Sequence, residues 1–178
     1  DLKRLKGKDL DKLLLQLGIE KRKQVKEELK SLDKKDINPL MLIQLPDNKS
    51  NLISKKEDVT KILEKNSITE KNGKLAVWLS EDKSDTLPNI EKNDNEVEVL
   101  VFKQAIAIGW DCPRASILVI FRETKSFEFT IQTIGRIMRM PELKYYTKDP
   151  ELNRGYVFTN LPNIEITEEY AKDYITTY

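Results

Sequence analysis

Leu40-Met41-Leu42-Ile43-Gln44-Leu45 is an almost unbroken apolar run, stopped by Pro46-Asp47-Asn48. A short run without polar alternation suits a strand buried on both faces, the condition of strands inside a parallel sheet. Working outward, Leu75-Ala76-Val77-Trp78-Leu79 is a second such run. Val97, Val99 and Val101 open a third that continues through Phe102, and Ile117-Leu118-Val119-Ile120-Phe121 is a fourth. Gly155-Tyr156-Val157-Phe158-Thr159 is a fifth. Helical patterns lie between them, from Glu57 to about Asn66 with Val59, Ile62 and Leu63 inward, and from Ser126 to Met138. Strands separated by helices or crossing loops predict an α/β fold with a mostly parallel sheet flanked by helices.

Ahead of the first strand, Leu10, Leu13, Leu14 and Leu17 recur at helical spacing. Gly18 is expected to interrupt the pattern before Val25, Leu29 and Leu32 continue it. Lys34 to Pro39 is polar and ends on proline, which predicts a linker. The expected organisation is a helical lead-in over residues 1–36 and one α/β unit over residues 37–178.

Composition narrows the chemistry. The chain has 178 residues, net charge +1, one cysteine and no histidine. That excludes an internal disulfide framework, a Ser-His-Asp triad, a Cys-His dyad and any zinc site built on histidine. No apolar run approaches the roughly 18 residues of a membrane span and no signal peptide opens the chain, so a reducing cytoplasmic setting is expected. The chain opens on Asp1 and not on Met, so a fragment or a processed chain is expected. Residues 1–35 carry 12 Lys/Arg against 7 Asp/Glu, while residues 36–98 carry 9 against 13. The basic opening fits either a nucleic-acid surface or a solvated helix face. Five of the seven arginines (Arg114, Arg122, Arg136, Arg139 and Arg154) fall after residue 110. Arginine's planar fork binds phosphate or carboxylate bidentately where lysine offers a point charge, so this clustering invites a phosphate hypothesis.

In open parallel sheets ligands bind beyond the carboxyl ends of the strands, so the loops after Leu45, Phe102 and Phe121 matter most. The loop after Phe102 runs Lys103 through Gly109-Trp110-Asp111-Cys112-Pro113. Its glycine permits close backbone approach to a ligand, and its carboxylate suits two ribose hydroxyls. The same residues also make an ordinary turn. Further on, Gln132, Arg136 and Arg139 share one helix face in Gln132-Thr133-Ile134-Gly135-Arg136-Ile137-Met138-Arg139. That face suits either an anion or a salt-bridged surface.

Gly109-Trp110-Asp111-Cys112-Pro113 and the stretch Gln132 to Arg139 with Met140-Pro141-Glu142 resemble motifs V and VI of superfamily-two helicases. Their particular form is similar to the Res subunit of type III restriction enzymes. Asn38-Pro39-Leu40 with Ile43-Gln44-Leu45-Pro46 resembles that family's motif IV strand, and Leu152 to Val157 its closing strand. The resemblance covers roughly residues 37–161 and implies the second RecA-like lobe of a two-lobe motor. It implies arginine fingers at Arg136 and Arg139, ATP contacts at Gly109, Asp111 and Gln132, and a nucleic-acid contact at Lys103. ATP and Mg²⁺ would be held mainly by a first lobe. The implied partners are that lobe and a nuclease domain of the same full-length chain, a methyltransferase (Mod) subunit and double-stranded DNA, with no membrane.

This sequence departs from the family at Thr133, where relatives often have arginine, and at Ile108, where many have glutamate. It also contains no G-x-x-x-x-G-K-[ST] loop and no Walker B pair after a strand, so an isolated ATPase is not expected. Pro46-Asp47 with Glu81-Asp82-Lys83 superficially fits a metal-dependent nuclease, but lies on the wrong side of motif V for that family. A DNA- or protein-binding module without an ATPase role is the remaining alternative.

Overall fold

The computed structural model describes residues 7–46, 49–79, 82–103, 111–121, 142, 144–159 and 175–177. The five apolar runs become strands β1 (Leu40–Gln44), β2 (Leu75–Trp78), β3 (Val99–Phe102), β4 (Ala115–Ile120) and β5 (Gly155–Thr159). A sixth, β6 (Ile175–Thr177), was not anticipated. All pair in parallel, in the order β2-β3-β1-β4-β5-β6. With helices α1 (Lys8–Ser31) and α2 (Lys49–Lys65), the architecture is an α/β, RecA-like parallel sheet flanked by helices, with an N-terminal helix leading in. Among the described residues no helix is long and apolar enough to cross a membrane.

The two-residue period of the strands sorts their side chains into two layers. Met41, Ile43, Val99, Val101, Ile117 and Val119 face α1 and α2, and meet Leu14, Leu15, Ile19, Val25 and Leu29 of the first helix and Val59 and Leu63 of the second. Leu40, Leu42, Leu100, Phe102, Leu118 and Ile120 form the opposite layer with Val97, Ile90 and Cys112. Every residue of β1 and β3 is buried, as continuous apolar runs require.

Gly18 does not interrupt α1, which runs 24 residues without a break. A methyl group at this position would stand 2.8 Å from Val119 Cγ2 and 3.0 Å from Met41 Sδ. The missing side chain is what allows the helix to lie directly on β1 and β4. Helix α2 begins eight residues before the expected Glu57, because its first turns are largely polar and carry little periodic signal.

The segment expected to be a linker is bound into the amino-terminal edge of the sheet. The Asn38 side chain donates to the carbonyls of Asn95 at 2.9 Å and Val97 at 3.5 Å, and accepts from Arg22 at 2.6 Å. Arg22, reaching from α1, also donates to the Pro39 carbonyl at 2.9 Å and pairs with Glu98 at 3.0 Å. Arg114, with no exposed surface, donates to the carbonyls of Ile90 (2.8 Å), Asn38 (2.6 Å) and Val97 (2.9 Å). Burial lowers its guanidinium pKa to about 10. Arg114 is thus a staple for three chain segments, which corrects the phosphate reading for this arginine. Arg154 likewise pairs on the surface with Glu151 at 2.6 Å.

Candidate functional site at the carboxyl edge of the sheet

A parallel sheet acquires a ligand crevice where neighbouring strands send their connections in opposite directions. The strand order fixes that place. From β1 the chain proceeds to β2 on one side of the sheet, and from the adjacent β4 it proceeds to β5 on the other. The switch point therefore lies beyond the carboxyl ends of β1 and β4, at Gln44-Leu45 and Ile120-Phe121. Backbone bonds carry the ladder one residue past each strand there, from Phe121 N–H to the Gln44 carbonyl at 2.9 Å and from Leu45 N–H to the Phe102 carbonyl at 2.8 Å.

The motif IV-like run ends β1 at this edge and Lys103 follows β3 there, whereas Asp111 to Pro113 lie just ahead of β4 and the motif VI-like stretch from Gln132 to Arg139 lies outside the described residues. Lys103 is half-buried beside Leu79, in an open groove of about 790 Å³ between α2 and the ends of β2 and β3. Lys56 and Lys61 on the same wall are offset by Glu57, Glu64 and Asp82. The groove is therefore not strongly electropositive, and Lys103 acts there as a single point charge rather than as part of a basic track.

Asp111 is exposed at the other end of the crossover from β3 to β4. Lys103 and Asp111 therefore lie at opposite edges of the sheet, Lys103 beyond the end of β3 and Asp111 just ahead of β4, so the described residues do not bring them together. The next residue, Cys112, is fully buried with its sulfur 3.9 Å from the Ile90 carbonyl, and burial pushes the thiol pKa up to about 12. Cys112 anchors the end of the crossover under the sheet and is held as an unreactive thiol. Gly109, Gln132, Arg136 and Arg139 lie outside the described residues.

The chain returning to β5 is pinned from two directions. Glu142 meets Lys34 at 2.8 Å, a contact that holds its carboxyl below the usual range. The Asn153 amide accepts from Tyr146 N–H at 2.6 Å and donates to the Tyr146 carbonyl at 3.0 Å, imitating a strand partner inside the protein.

Sequence reasoning treated Gln44 only as part of a strand. It is 1% exposed, and its Nε2 has no hydrogen-bond partner among the described residues. The available signal was a carboxamide at the end of an apolar run. Of the nuclease-like set, Asp82 is ion-paired with Lys56 and Lys83 is exposed, while Asp47 and Glu81 lie outside the described residues. Among the described residues no group of three Cys, Asp or Glu side chains is placed to hold a metal ion. No family model, curated protein or solved structure matches the chain.

Proposed function

We propose that this chain is the second RecA-like lobe of an ATP-dependent DNA translocase of the type III restriction kind. The observation that supports the reading is that β1, β3 and β4, the strands beside the motif-like runs, are neighbours in one parallel sheet.

In this reading Arg136 and Arg139 supply guanidinium charge to the γ-phosphoryl group of ATP held across an interlobe cleft. Gly109, Asp111 and Gln132 contribute nucleotide contacts, and Lys103 meets a DNA phosphate. ATP and Mg²⁺ are held chiefly by a first lobe, since this sequence has no phosphate loop. The resulting cycle moves the protein along duplex DNA in the cytoplasm, with a methyltransferase subunit recognising the site and a nuclease domain cutting.

The test is Arg136→Ala in the protein that joins this lobe to a first lobe. DNA-stimulated ATP turnover should fall by about 10³-fold or more while DNA affinity at fixed salt is retained. Turnover within a few-fold of the parent would remove the finger assignment. The 178-residue chain alone should hydrolyse no ATP, and measurable turnover by the pure chain would overturn the two-lobe reading.

A further inference from the structure

We propose that Asn72-Gly73 is a deamidation site that the fold holds closed, so that its reaction marks chains in which the turn ahead of β2 has opened. It is the one Asn-Gly pair in the sequence, and Asn72 lies exposed in the turn between α2 and β2.

Asparagine deamidates when the backbone nitrogen of the following residue, having lost its proton, attacks the side-chain carbonyl carbon. The new N–Cγ bond closes a five-membered succinimide, and the Cγ–Nδ2 bond breaks with its nitrogen leaving as ammonia. Water then opens one of the two ring C–N bonds. The product is aspartate, or isoaspartate when the main-chain carbonyl is the one cut. Glycine favours the attack because it has no Cβ to hinder the approach.

In the folded turn every group that must move is occupied. The Gly73 N–H, which carries the proton to be lost, donates to the Glu70 carbonyl at 3.0 Å. The Asn72 Nδ2 donates to the Ser67 carbonyl at 2.7 Å, and its Oδ1 accepts from Thr69 N–H at 3.1 Å and Lys74 N–H at 3.2 Å. The Asn72 N–H donates to Thr69 Oγ1 at 3.2 Å. Gly73 holds φ at 75°, a conformation that glycine adopts without strain. Ring closure has to take the carboxamide off its three partners and free the Gly73 N–H. The rate is therefore set by the fraction of time that the turn is open.

The same bonds make the mark one-way. The Lys74 carbonyl accepts from Glu98 N–H at 2.8 Å and Val99 N–H at 3.0 Å, where β2 begins to pair with β3. Aspartate at this position has no N–H for the Ser67 carbonyl and sets a carboxylate oxygen against it. Isoaspartate adds a carbon to the backbone between Ser67 and Lys74. Neither product rebuilds the turn.

The experiment incubates the 178-residue chain beside a synthetic peptide of residues 69–76 at the same mildly alkaline pH. Conversion of Asn72 to aspartate and isoaspartate is followed by peptide mass spectrometry. The folded chain should convert at least about tenfold more slowly than the peptide, which corresponds to an opening free energy of about 1.4 kcal/mol or more. Thr69→Val removes the acceptor of the Asn72 N–H and leaves the reacting atoms in place, and should speed conversion about threefold, as loss of one hydrogen bond does. Asn72→Asp should lower Tm. Equal rates in chain and peptide would overturn the proposal, and so would a Thr69→Val chain that converts at the parent's rate. An Asn72→Asp chain that melts with the parent would refute the one-way step. None of these outcomes depends on the motor reading.

Discussion

The two edges of the sheet spend their polar groups differently. At the amino-terminal edge Arg22, Asn38, Arg114 and Glu98 bind one another and the carbonyls around them, joining α1, β1, the loop before β3 and the start of β4. At the carboxyl edge the buried Gln44 Nε2 has no partner among the described residues, and Lys103 stands half-buried in a groove. The contrast teaches that a residue's type does not assign its role. Arginine serves at the amino edge as an internal staple, whereas Arg136 and Arg139, proposed as ligand groups, lie outside the described residues. What separates these roles is whether the surrounding acceptors belong to the chain itself.

The sharpest way to break this contrast is Arg114→Ala. The substitution leaves three buried carbonyls without their donor, and a loss of about 3–5 kcal/mol in urea unfolding is expected. A loss under about 1 kcal/mol would mean that water or a neighbour replaces the guanidinium and that the edge is not a staple.

Between the edges, Gly18→Ala tests the close seating of α1. Overpacking against Val119, a stiff β-branched side chain, costs about 1–3 kcal/mol. The gain in helix propensity returns about 1 kcal/mol, so a net fall in the unfolding midpoint is expected. An increase would show that the helix stands further from the sheet.

At the carboxyl edge, Gln44→Met should leave stability unchanged or raise it by on the order of 1 kcal/mol. That is the opposite sign from the same kind of polar-to-apolar change at the amino edge.

The smallest effect belongs to an imperfection in the amino edge. Glu28 is raised in pKa by burial, with Asp149 and Glu151 adding repulsion, and one of its oxygens has no partner. Between the ordinary carboxylate range and the raised value, the folded chain keeps a proton that the unfolded chain has released. Stability therefore falls as pH rises through that window. Glu28→Gln should raise Tm slightly at pH 7 and leave it nearly unchanged at pH 4, as read by thermal melts at both values. Equal effects at the two pH values would place the cause in packing.

Much of the fold is legible because strands enclosed on both faces need no alternation, so β1 to β5 stand out as apolar runs. β6 is not legible, since Ile175-Thr176-Thr177 is three residues at the sheet's margin and carries no such run. The boundary of β3 shifts for a similar reason. Val97 is buried in the loop ahead of the strand, where its carbonyl receives Arg114, and alternation cannot distinguish that from strand pairing. Neither the strand order nor the staple at Arg114 is written locally, because both depend on segments dozens of residues apart. Of the residues the motifs single out, Lys103 lies at the carboxyl edge and Asp111 just ahead of β4 at the opposite one, a separation that the spacing within one motif does not reveal. Sequence reasoning passed over Gln44, whose meaning lies in what its neighbours on β3 and β4 fail to offer.

The bare Cα of Gly18 has a mechanical consequence. Val119 and Met41 fit against it as a key fits a slot, so α1 cannot slide along the sheet by one residue without driving a side chain into both. The seating of the first helix is therefore tied to two side chains, one from each of the central strands β1 and β4.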